Sequence, residues 1–97
     1  MEQGEERPVS GRMSEAAGKT TEILEALART ADAIAETAAM SADVHDRAAG
    51  NLPGAAEHAE RDRRFAAAER AAAAAYRSGE VPPDDVRQAI RDSRPGG

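Results

Sequence analysis

The run Gly50-Asn51-Leu52-Pro53-Gly54 interrupts two alanine-rich stretches, residues 14–49 and 55–78. Proline has no N–H with which to continue a helix, and glycine relaxes the backbone, so a helix cannot pass through this point undisturbed. The spacing predicts one helix over 14–49, a turn over 50–54 and a second helix over 55–78. A connection this short makes two long helices antiparallel neighbours. The expected fold class is therefore all-α: an antiparallel two-helix hairpin of long Ala-rich helices. A short third helix follows over 83–92. A disordered arm over 1–13 and a flexible tail over 94–97 flank a single domain, residues 14–93.

Composition decides how well such a hairpin can hold itself together. The chain has 97 residues, enough for one small domain. Apolar residues make up 40% of it, but most are alanine, and aromatics are 2%, namely Phe65 and Tyr76. Burying one larger apolar side chain stabilises by roughly 1.5–3 kcal/mol, while ordering each residue costs about 1.5 kcal/mol. Alanine favours the helix but buries little area. The core of one copy is thin, so stability comes from self-association or from a partner helix, or else the isolated chain is marginal.

The net charge of −5 resides in the first half of the chain. Residues 1–50 carry ten acids against five bases, and residues 51–97 carry eight of each sign. An acidic first helix beside a neutral second one argues against nucleic acid and against an anionic membrane surface. There is no cysteine, which excludes disulfides, thiol nucleophiles and thiolate-bound zinc. No apolar run approaches the length of a spanning helix, and the acidic start is unlike a signal peptide. The expected location is cytoplasmic.

Local signals place the elements more finely. Ser14 can cap a first turn, with Thr20 or Thr21 as a second start. The expected apolar seam of the first helix runs through Ile23, Leu24, Leu27, Ala31, Ile34, Ala38, Ser41, Val44, His45 and Ala48, in steps of three and four. Gly50 is placed for a left-handed cap. On the second helix the face comprises Ala55, Ala59, Phe65, Ala68, Ala72 and Tyr76, interrupted by Asp62, and Gly79 ends it. Glu25–Arg29, Asp43–Arg47, Glu57–Arg61 and Glu60–Arg64 are favourably ordered i,i+4 pairs. Pro83 suits a first helical position, with Asp84 and Asp85 in the same turn. Folding about Leu52 sets Ala38 opposite Phe65, His45 opposite His58, Ile34 near Glu69 and Leu27 opposite Tyr76, so that large meets small. The third helix can fold back on the open end, bringing Val81, Val86 and Ile90 toward Ile23, Leu24 and Leu27.

Chemistry-bearing patterns are few. His45 and His58, with Asp46 and Glu57 beside them, contain donors suited to zinc or nickel. A protein metal site needs three or four convergent ligands, and two histidines beside a loop explain the pattern without metal, so no metal or cofactor is assigned. Arg61, Arg63 and Arg64 are interleaved with Glu57, Glu60 and Asp62, the pattern of a solvated, salt-bridged face. No phosphate loop or catalytic set is present, and no enzyme or small-molecule substrate is expected.

Leu52-Pro53-Gly54 resembles the W-x-G turn of the small secreted helical hairpins of the WXG100 type, and Tyr76-Arg77-Ser78-Gly79-Glu80 resembles their Y-x-x-x-D/E element. The tryptophan is missing here and the two elements stand closer together than in that family. The resemblance implies an exported hairpin that pairs with a second hairpin. The residues themselves lead first to a non-enzymatic protein–protein interaction module, a homo-oligomer or coiled-coil partner self-associating through an Ala-rich seam. Its expected anchors are Ile23, Leu24, Leu27, Ile34, Phe65 and Tyr76. The alternative is an antitoxin-like or anti-sigma-like regulatory partner that orders on binding one specific protein.

Overall fold

A computed structural model describes the backbone of residues 2–94 and the side chains of residues 15–94. Helix α1 spans Glu2–Ala48, α2 Ala55–Arg77 and α3 Asp84–Ser93. The hairpin and its short third helix are as the sequence predicts. The start of α1 is not Ser14: the helix takes in residues 2–13, where an arm is expected. Glu2, Gln3, Glu5 and Glu6 are good helix formers. The side chains of the expected arm, and residues 95–97 of the expected tail, lie outside the described residues. Thr20 and Thr21 do not begin a helix either, since their hydroxyls donate back to the carbonyls of Ala16 (2.9 Å) and Ala17 (3.0 Å).

The turn is built differently from its expected form. Ala48 closes α1, its carbonyl accepting from the N–H groups of Asn51 and Leu52, both at 2.9 Å. Gly50 is not left-handed. Gly54 is, at φ 83°, and it stands at the N-cap of α2, with its carbonyl accepting from His58 N–H at 3.0 Å. Gly79, at φ 81°, ends α2 as expected. Glu80 N–H reaches the Ala75 carbonyl (2.9 Å) and Gly79 N–H that of Tyr76 (3.0 Å), the paired bonds of a Schellman cap.

The hairpin buries alanine against alanine. Ala28, Ala31, Ala35, Ala38 and Ala42 of α1 are buried, facing Ala55, Ala59, Ala66 and Ala73 of α2. The expected longitudinal register holds: Ala38 and Ala35 pack with Phe65 and Ala66, and the His45 and His58 rings stand 5.4 Å apart. The face does not hold. The buried stripe of α1 is rotated about one residue from the expected seam, and Ile23, Leu27, Ile34 and Val44 are exposed. The cause is the partner. Against an alanine helix, alanine facing alanine lets the two backbones approach most closely, and close approach yields the densest packing. A row of Leu and Ile between them would hold them apart.

Helix α3 also departs from expectation. It folds back along α2 and has no Cα within 8 Å of one in α1. Ile90 packs against the cluster of Ala35, Ala38, Phe65 and Ala66 instead of approaching Ile23 or Leu24. The tight cap at Gly79 and the extended Pro82-Pro83 segment turn α3 back on the helix it has just left. Pro83 itself is the N-cap, one residue before the expected helical position.

Candidate functional site

The hairpin has two unlike edges. Along one, Asp32 pairs with Arg77 at 2.6 Å and Asp46 pairs with Arg63. Asp32 and Asp46 are separated by two heptads, and so are Arg63 and Arg77, so the two rows run in step. These ion pairs close that edge.

The opposite edge is open, and α1 brings no charge to it. From Thr20 to Asp46, every Asp, Glu, Lys and Arg of α1 falls on one strip: Glu22, Glu25, Arg29, Asp32, Glu36, Asp43, Asp46. The strip follows steps of three and four, so it occupies one side of the helix and leaves about two-thirds of the circumference without charge. Helix α2 covers only part of that arc. Beside the buried alanines runs a second row, Ile23, Leu27, Thr30, Ile34, Thr37, Ser41 and Val44, also stepping by three and four. Its aliphatic members are exposed: Ile23 60%, Leu27 41%, Ile34 38%, Val44 60%, with Met40 beside them at 62%. Thr30, Ala33, Ile34, Thr37 and Ser41 line an open groove of about 550 Å³, floored by Ala38, Phe65 and Asp62.

The expected anchors therefore separate into two groups. Ile23, Leu27 and Ile34 lie on the open row. Leu24 is half-buried in line with the alanine stripe and faces the end of α2 with Tyr76. Phe65 is buried within the hairpin, and Tyr76 packs half-buried against Ala28, Ala31 and Ala73. Thr30, Thr37, Ser41, Met40 and Val44 complete the open surface. The one-sided placement of charge on α1 is the sequence signal that finds them, because it marks every position that can lose water cheaply.

Asp62, which interrupts the face of α2, is buried and accepts a hydrogen bond from His45 Nδ1 at 2.9 Å. His45 thus turns toward a carboxylate, with His58 adjacent. Among the described residues no group of three or more His, Cys, Asp or Glu is placed to hold a metal ion. Glu69 is also buried, and burial raises its carboxyl above the ordinary value of 4.5, against a smaller opposing pull from the Arg94 guanidinium. Arg63 and Arg64 of the basic cluster are engaged with Asp46 and Glu60. No described helix is long and apolar enough to cross a membrane. The chain matches no protein family, no curated protein and no solved structure.

Proposed function

We propose that this protein is a non-enzymatic interaction module that accepts another helix along the open row of α1. One observation carries this reading. The uncharged arc of α1 is far wider than the strip α2 covers, and the uncovered part holds the larger aliphatic residues. A helix that is apolar beyond one face belongs inside a bundle. The seam that binds is then not the alanine row, which the hairpin itself consumes, but the row from Ile23 to Val44.

The test is a double substitution, Leu27→Asp with Ile34→Asp, on two exposed positions. Wild-type protein is expected to hold a protein partner, whether a second copy or another chain, in sedimentation and affinity capture. The variant loses that association while its helical circular dichroism is retained. A variant that keeps every association, or a wild type that forms none, rules the reading out.

A regulatory partner that orders on binding is the second reading. What favours it is the core: no large side chain is fully buried among the described residues. A broad, weakly cooperative melt of the isolated protein, sharpened by one specific protein, supports it. A sharp melt of the isolated monomer counts against it.

A further inference from the structure

We infer that the occupant of the open row is a second copy of this chain, its α1 laid antiparallel on the first. This rests on the helix-accepting reading above and names the partner. Because α2 already occupies the side of Ala31 and Ala38, an incoming helix is displaced toward Ala26, Ala33 and Met40. That displacement brings the next row, Glu22, Arg29, Glu36 and Asp43, to the rim of the contact.

This rim selects both partner and direction. It holds one base among three acids. Two copies laid parallel place the two rims on opposite sides of the contact, so that Arg29 meets no acid of the other copy's rim. Laid antiparallel about a two-fold axis near residues 35–36, the middle of the groove, Arg29 of each copy meets Asp43 of the other, and only Glu36 faces its own kind. In the same register Leu27 meets Val44 of the second copy and Ile34 meets Thr37. No charged residue of α1 is buried, which is what an isologous contact between two acidic helices requires. Arg29 now stands 3.9 Å from Glu25 on its own helix, an exposed contact of little strength that leaves it available. The row from Ile23 to Val44 is roughly 32 Å long, which gives a contact at the small, reversible end of specific interfaces.

The absence of cysteine makes the test direct. Leu27→Cys and Val44→Cys are prepared separately, both at exposed positions, and oxidised alone and mixed. Antiparallel pairing gives a disulfide-linked dimer in the mixture and none in either protein alone. Cross-linking of each variant alone, with none between them, overturns the direction. In the intact chain, Arg29→Glu is expected to weaken dimerisation roughly three- to tenfold, and Arg29→Glu combined with Asp43→Arg to restore it. Failure of the swap to restore dimerisation overturns the register. A wild type that stays monomeric across the concentration series, yet still captures another protein in a manner lost on Leu27→Asp/Ile34→Asp, overturns the second copy and leaves the helix-accepting reading standing.

Discussion

Asp62 lies buried in an alanine seam with His45 Nδ1 donating to it across the hairpin. The two partners are unequal, because the His45 side chain is 35% exposed and that of Asp62 6%. His45→Ala leaves a buried acceptor without its donor and is expected to cost about 1–3 kcal/mol. Asp62→Ala removes the buried carboxylate and leaves an imidazole that water can reach, so it should cost less. Urea midpoints at neutral pH give the order, and a reversed order would show that the hydrogen bond does not govern the site. Glu69 carries a pH dependence of its own. Its carboxyl is raised in the folded state by burial, with Arg94 opposing. The folded chain then keeps a proton that the unfolded chain has released, so its contribution to stability is full below the unfolded pKa and is lost as pH rises through the folded one. Glu69→Gln should therefore gain on the wild type as pH rises from about 4 toward neutrality, read as the difference in melting temperature. A difference that is flat with pH would refute this.

At the scale of the element, one residue of rotation separates the buried row of α1 from the open one. Ala35 is buried, and Ile34 next to it is half-exposed. Ala35→Leu forces bulk between two closely packed backbones and is expected to cost about 1–3 kcal/mol. Ile34→Asp should change the fold stability of the monomer by no more than about 0.5–1 kcal/mol. Thermal melts at low protein concentration compare the two, and similar losses would mean that the buried row is wrongly assigned. The closed edge offers a gain instead. Arg70 lies midway between Arg63 and Arg77, and its counterpart in the acidic row is Ala39, midway between Asp32 and Asp46. Ala39→Glu supplies the missing acid and should add about 0.2–1 kcal/mol, a gain that salt removes. If the gain persists undiminished at high salt, it is helix propensity and not an ion pair.

At the scale of the whole molecule, the structure is a rod of 77 × 21 × 19 Å. Its long helix is tied to α2 by two ion pairs on one edge and open on the other. A second copy on the open edge makes stability depend on concentration. The melting temperature is expected to rise with protein concentration in the wild type and to be independent of it in Leu27→Asp/Ile34→Asp. Equal behaviour of the two would argue that folding and association are not linked. Much of this molecule is legible along the chain. Pro53 and its glycines specify where the first helix must stop. The short connection specifies antiparallel helices, and the spacing about Leu52 sets Ala38 by Phe65 and His45 by His58. These are local or one-dimensional properties, fixed by backbone chemistry and by counting. Which side of α1 meets α2 is of another kind, because alanine and leucine are both apolar and periodicity treats them alike. That choice is made by how closely two backbones can approach, a property of the pair of helices and of neither alone. The docking of α3 is decided in the same way, by the cap at Gly79 and the packing of Ile90 against the cluster around Phe65. So the sequence determined the elements, their order and their register, and the tertiary packing decided which face is spent inside the hairpin and which is left exposed.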